Sequence, residues 1–284
     1  MPKETMPKDK MTAKTGDGFA LYYETHGSGP PIVLVHELGG SCASFHFQVD
    51  AWSPRYQCVA FNARGYPPSE VPQLPESYSQ DFAASDIGAV LDACGLHDAH
   101  LLGVSMGAAA VLQFALRTPA RARSIALCSI ASGSDQPQGE YRTAMEAQAD
   151  FAQTAGVKAL AERLLDSPNR RRLQEKSPAE YRKFIDQLAA ISPLGIANTM
   201  RGVQARRPPI YAHKERAAAL QVPTLIVVGD EDEPCIKPSH FLRDTIPGAK
   251  LETIAKCGHL VNIEEPAIFN AMALGFIEAC EAKR

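Results

Sequence analysis

The sequence predicts an α/β protein built on a doubly wound, mostly parallel sheet, and three observations carry that assignment. Short, near-continuously apolar runs recur along the 284 residues. Amphipathic helical stretches separate them, and the alternation is broken once, by a long polar segment of helical character. Strands that are apolar throughout are buried on both faces, as a parallel sheet covered by helices requires. In chain order, strands are expected at residues 19–25, 32–36, 58–62, 100–104, 124–130, 224–229 and 250–254. Core helices are expected at 78–94, 106–118 and 266–279. Residues 1–15 are lysine-rich with no apolar run behind them; they fail as a secretory signal and read as a mobile tail.

Between residues 132 and 220 no strand pattern is found, and helical patterns fall at 140–153, 157–165 and 179–190. A segment of that length cannot be a simple crossover, and long structureless connections are rare. It is expected to form a helical lid over the strand ends, where open α/β sheets place their ligand crevice. The resulting division is a tail at 1–15, a core at 16–131 and 221–284, and a lid at 132–220.

Composition excludes several function classes. The chain is 45% hydrophobic and 21% charged with a net charge of -3. Without a long basic run, nucleic acid is not an expected partner. No apolar stretch approaches the roughly 20 residues of a membrane span, so no membrane partner is expected. The seven cysteines are scattered and contain no Cys-x-x-Cys pair. They indicate reduced thiols and a cytoplasmic setting rather than a disulfide framework or a zinc site. No metal or other cofactor is expected, and a homo-oligomer is compatible with the sequence.

The chemistry centres on Gly103-Val104-Ser105-Met106-Gly107. A strand pattern precedes it and a helix-forming stretch follows, so the serine sits on a tight strand-to-helix turn, a nucleophile elbow. The glycines leave room where strand and helix backbones come close. A serine hydroxyl needs a base, and the base a third group to orient it. Of the eight histidines, His259 is the candidate base: it follows the last predicted strand and precedes Glu264-Glu265-Pro266. The acid should come from Asp230-Glu231-Asp232-Glu233, after the strand at 224–229. Adjacent carboxylates repel when all are buried, so one is expected to turn inward. Asp232 has the loop freedom to reach His259, whereas Asp230 is suited to fixing the turn. An oxyanion hole would use backbone N–H groups, here those of Met106, after the nucleophile, and Leu38, in the loop His36-Glu37-Leu38-Gly39-Gly40-Ser41.

These motifs together resemble the α/β-hydrolase superfamily. The resemblance rests on His-x-x-Gly-Gly-Ser after the early strand, Asn62-Ala63-Arg64-Gly65-Tyr66-Pro67-Pro68-Ser69 after the next, the serine elbow, Gly229-x-x-Asp232 and Gly258-His259. It runs from about Phe19 to Phe276, the lid excluded. The chain is most similar to the cofactor-free branch of carboxylesterases, 3-oxoadipate enol-lactonases, meta-cleavage product hydrolases and haloperoxidase-like perhydrolases. The resemblance implies an eight-stranded α/β-hydrolase sheet, the triad Ser105, Asp232 and His259, and backbone donors at Leu38 and Met106. A haloalkane dehalogenase would carry aspartate at the elbow. Two departures stand out. The family's usual His-Gly is His36-Glu37 here, which puts a carboxylate beside the oxyanion site. The usual Asp-x-Arg-Gly-x-Gly-x-Ser carries Asn62 and two prolines, which stiffen the turn; Arg64 reads as a fold brace.

The expected activity is hydrolysis of a small carboxylic ester or lactone through an acyl-enzyme, the small molecule being the expected partner. A carbon–carbon bond hydrolase or perhydrolase on the same triad, and a non-catalytic ligand receptor on this fold, are the alternatives. Glu37 is expected either to brace its loop through backbone N–H groups or to stay protonated and donate. His46, His213, His240, Arg201, Arg206 and Arg207 read as structural or solvated.

Overall fold

A computed structural model describes residues 11–284. Eight strands form one sheet: β1 (Thr12–Lys14), β2 (Ala20–His26), β3 (Pro31–Val35), β4 (Gln57–Phe61), β5 (Ala99–Val104), β6 (Ala122–Cys128), β7 (Thr224–Gly229) and β8 (Lys250–Ile254). Their order is β1-β2-β4-β3-β5-β6-β7-β8. The β1/β2 and β2/β4 pairs are antiparallel and the rest parallel. The expected tail is corrected at its C-terminal end: Thr12–Lys14 pair with Ala20–Tyr22 and form the edge strand, while residues 1–10 lie outside the described residues. The strand expected at 124–130 stops at Cys128, because Ser129 and Ala131 take positive φ and turn the chain out of the sheet.

Alternation along each strand feeds two cores. In β3, Val33 and Val35 join the cluster that holds Ile87, Leu91, Val111 and Leu242, while Ile32 and Leu34 join the one that holds Phe45, Trp52, Phe269 and Ile277. Helices α1 (His46–Trp52) and α12 (Pro266–Glu281), the latter preceded by the one-turn α11 (Val261–Glu264), therefore cover one face, and α2 (Gln80–Ala93), α3 (Met106–Arg117) and α10 (Glu233–Thr245) the other. Every residue of β3, β5 and β7 is buried, as the apolar runs require.

Between β6 and β7 the chain is helical: α4 (Gln138–Ala155), α5 (Val157–Leu165), α6 (Pro168–Lys176), α7 (Pro178–Ala189), α8 (Pro193–Thr199), a π-helical turn at Met200–Gln204 and α9 (Lys214–Ala218). This insert shares a third apolar cluster with the core. Leu160, Leu165, Phe184, Leu188, Ile196 and Met200 pack with Tyr66, Met106 and Leu260. The insert thus rests on the residues that directly follow Ser105 and His259. Among the described residues, no helix is long and apolar enough to cross a membrane.

Arg64 is 3% exposed and forms ion pairs with Asp86 at 2.7 Å and Asp17 at 2.8 Å. It also donates to the carbonyl of Ser77, so it fastens the turn after β4 to α2 and to the loop after β1.

Candidate active site

The topology opens a crevice at the carboxyl ends of β3 and β5, because the chain leaves these neighbouring strands in opposite directions along the sheet, from β3 to β4 and from β5 to β6. The loop after β3 carries His36, Glu37 and Leu38; the turn after β5 carries Ser105. Ser105 takes φ 52° and ψ -108°, a conformation that aims its side chain away from both strand and helix. Its N–H donates to Cys128 O at 2.8 Å. A Cβ at Gly103 would run into the backbone of Gly107 and Ala108, and one at Gly107 into the carbonyls of Val35 and His36. Both glycines are therefore set by close backbone approach.

Three side chains from three loops meet here. Ser105 Oγ lies 2.9 Å from His259 Nε2, and His259 Nδ1 lies 2.8 Å from Asp232 Oδ2. Asp232 and His259 are 0% exposed and Ser105 is 7% exposed. A carboxylate only accepts, so Nδ1 carries the proton and Nε2 is left to accept from the serine hydroxyl. Burial alone would raise the Asp232 carboxyl; the facing His259 and the hydrogen bonds from His259 and Asn169 overcome this and hold it down at about 2. Burial holds His259 below its ordinary value against the attraction of Asp232. The imidazole is accordingly neutral, and able to accept a proton, at neutral pH.

Of the four consecutive acidic residues, only Asp232 is buried. Asp230 accepts from the N–H of Cys257 at 3.1 Å and ties the two loops together. Glu231 pairs with Arg172 of α6. Buried Glu264 accepts from the N–H groups of Gly258 at 2.7 Å and Leu260 at 3.0 Å, bracketing His259.

The N–H groups of Leu38 and Met106 make no hydrogen bond among the described residues, and Leu38 lines the same cavity as Ser105. His36, 1% exposed, links two loops: its Nδ1 lies 2.7 Å from Glu37 O, and its Nε2 accepts from the N–H of Ala63 at 3.0 Å. Burial pushes its pKa down to about 4. Glu37 is 1% exposed and turned toward Ser44, whose hydroxyl donates to Oε1 at 2.9 Å; Oε2 has no partner among the described residues. The bracing expected from backbone N–H groups is therefore corrected. Ser44 Oγ, itself an acceptor from the N–H of Ser41, fills that place. Burial raises the Glu37 carboxyl to about 6.

The sequence reading missed Asn169. Its Nδ2 donates to Asp232 Oδ1 at 2.9 Å, and its carbonyl accepts from the N–H of His259 at 2.7 Å. One insert residue thus holds both Asp232 and His259. The pair Ser167-Pro168 marks a helix start, but nothing local assigns the next residue a partner on β7's loop. Cys235 was also missed; its Sγ lies 3.8 Å from His259 Nδ1, and burial raises its thiol well above the ordinary value. Asp232, Cys235 and His259 form the one cluster of possible metal donors among the described residues. All three are buried, and Asp232 and His259 spend their facing atoms on each other, which leaves no open coordination position.

A family model described as the alpha/beta hydrolase fold matches residues 30–266. The chain belongs to the α/β-hydrolase family. Among its relatives, the protein named “Putative carbamate hydrolase RutD” of Azorhizobium caulinodans is 29% identical over 261 residues, covering 90% of this chain and 94% of its own. The 3-oxoadipate enol-lactonase 1 of Acinetobacter baylyi is 25% identical over 272 residues, covering 95% and 97%. The crystal structure of the enol-lactonase from Burkholderia xenovorans LB400 superposes with a TM-score of 0.82 at 24% identity, covering 94% of this chain and 99% of that one.

Proposed function

We propose that the protein is a serine hydrolase acting on a small carboxylic ester or lactone through an acyl-enzyme. The observation that carries this reading is the continuous relay from Ser105 Oγ through His259 to Asp232, with two hydrogen bonds of 2.9 and 2.8 Å. His259 Nε2 takes the hydroxyl proton as Ser105 Oγ bonds to the acyl carbon. Asp232 stabilises the imidazolium, and the N–H groups of Leu38 and Met106 receive the oxyanion. Collapse breaks the bond to the alcohol oxygen, which leaves with the proton held by His259. Water then enters the same cycle, giving up a proton to His259 as its oxygen bonds to the acyl carbon; the bond from that carbon to Ser105 Oγ breaks, Oγ takes the proton back from His259, and the carboxylic acid is released. The enol-lactonase and carboxylesterase names among the relatives support the ester or lactone reading.

The cavity at Ser105, of about 170 Å³, is lined from the core by Leu38 and Pro234 and from the insert by Tyr141, Gln148, Leu164 and Asn169. In this reading the insert is a lid that selects the substrate. Turnover of p-nitrophenyl acetate and a lactone panel, with and without a serine-directed phosphonate, tests the proposal. Phosphonate-sensitive turnover is expected. No turnover of any ester or lactone by a protein that still binds such ligands would replace it with the receptor reading.

A further inference from the structure

Arg170 has no counter-ion. Among the described residues it forms no ion pair and its side chain no hydrogen bond, yet it lines the cavity that contains Ser105. Burial lowers its pKa even with Asp232 and Glu37 nearby. Neither carboxylate answers it. Asp232 spends one oxygen on His259 and the other on Asn169, and Glu37 spends Oε1 on Ser44; neither lies at ion-pair distance from the guanidinium. No Asp or Glu lines the cavity. The other cation facing this region is Arg207, which donates to the Ser132 carbonyl and the Tyr141 hydroxyl; the titratable groups His259 and Cys235 face it from the loop after β8 and the first turn of α10.

A second unsatisfied group sits in the same cavity. Gln148 Oε1 is sealed from solvent and has no hydrogen-bond partner. A buried polar atom of this kind is uncommon, and rotating the amide presents its NH₂ instead, so Gln148 can donate into the cavity that Arg170 also lines.

The backbone that carries Arg170 is tied down on both sides. The preceding residue, Asn169, bonds both Asp232 and the His259 backbone, and further along α6 Arg172 pairs with Glu231 and Lys176 with Glu265. The guanidinium therefore projects from a backbone segment fastened to the loops that carry Asp232 and His259, so the ordering left to an arriving anion is that of the side chain alone.

We infer that Arg170, with Gln148, forms a carboxylate-binding subsite beside Ser105, so that the substrate is an ester or lactone carrying a free carboxylate in addition to its scissile acyl group. This rests on the hydrolase reading. The planar fork of arginine matches a carboxylate through two parallel N–H···O bonds. A singly charged planar anion neutralises the one unpaired guanidinium, and the amide of Gln148 takes up a remaining lone pair.

The test compares two esters of equal chain length, mono-p-nitrophenyl glutarate and p-nitrophenyl valerate, one anionic and one neutral. The parent is expected to favour the glutarate ester at least ~10-fold in kcat/KM. Arg170→Met should lower that value at least ~30-fold more for glutarate than for valerate, mostly through KM, because truncating one partner of a desolvated charge pair has effects of that size. Arg170→Lys should recover part of the loss. A parent that favours valerate, or an Arg170→Met loss equal for both esters, overturns the subsite. Calorimetric titration of Ser105→Ala with monomethyl glutarate reads the same contact without turnover. Binding abolished by adding Arg170→Met supports the subsite, whereas absent or undiminished binding overturns it. Failure of both esters while that binding persists would count against the hydrolase reading alone.

Discussion

Asp232→Asn removes one charge and almost no volume from the site. Both oxygens of Asp232 accept hydrogen bonds, one from His259 Nδ1 and one from Asn169 Nδ2. An asparagine can keep accepting from His259 only if its NH₂ turns to Asn169, whose own amide must then reverse. That rearrangement is local, so the fold should survive. What is lost is attraction for the imidazolium that forms during attack. Charge centres about 4 Å apart interact with roughly 4 kcal/mol at an effective dielectric of about 20. At 1.36 kcal/mol per tenfold, that is a fall of about 10³ in kcat, with KM changed far less. Steady-state hydrolysis of p-nitrophenyl acetate by the two proteins, with circular dichroism to establish folding, measures it. Asp230→Asn is the matched control, since Asp230 only receives the Cys257 N–H. A folded Asp232→Asn protein within tenfold of the parent, or a larger loss in Asp230→Asn, would refute the assignment.

Asn169→Ala deletes a hydrogen bond to a charged carboxylate, worth about 2 kcal/mol. With an unfolding entropy of roughly 0.6 kcal/mol/K for a chain of this size, Tm should drop by about 3 °C, and kcat by about tenfold as Asp232 and His259 loosen; an unchanged Tm in a thermal melt would show that α6 does not steady the acid. Glu37→Gln is expected to stabilise the protein above pH 6. The folded carboxyl is raised from 4.5 to about 6, so the folded state binds the proton more tightly, and stability is lost as pH rises through that window, by about 2 kcal/mol in all. The amide keeps the acceptor for Ser44 and never ionises. Melts across pH 4–8 should show the variant and the parent together at the acid end and diverging as pH rises through 4.5–6, the variant ending about 3 °C above the parent; a constant offset, or none, across that range would mean that Glu37 is not an ionised, desolvated carboxylate there.

Much of the fold was legible because burial on both faces leaves a direct mark. The runs at 32–36, 100–104 and 224–229 became β3, β5 and β7, and Ser105 could be placed because glycines on both sides are demanded by backbone contact. What escaped had no such periodicity. β1 is three residues long and alternates exposed with buried, so it carries too little pattern to separate from a tail. α6 buries only Leu173, and its polar run gives no apolar stripe to read. α10 begins inside the acidic loop, with Pro234 near its start and Pro238 within it, both of which read as breaks. Asp232 was chosen over Asp230 by reach along one loop. Asn169 acts on Asp232, 63 positions away, and on the backbone of His259. Such partners are set by tertiary packing, so only the assembled chain shows them.

The site of covalent modification tests the central claim most directly. After treatment with a serine-directed phosphonate, peptide mass spectrometry should find one adduct, on Ser105 within the Gly103-Val104-Ser105-Met106-Gly107 peptide, formed in step with loss of esterase activity and absent from Ser105→Ala. An adduct on Cys235 or another residue, or full inactivation with Ser105 unmodified, would contradict it.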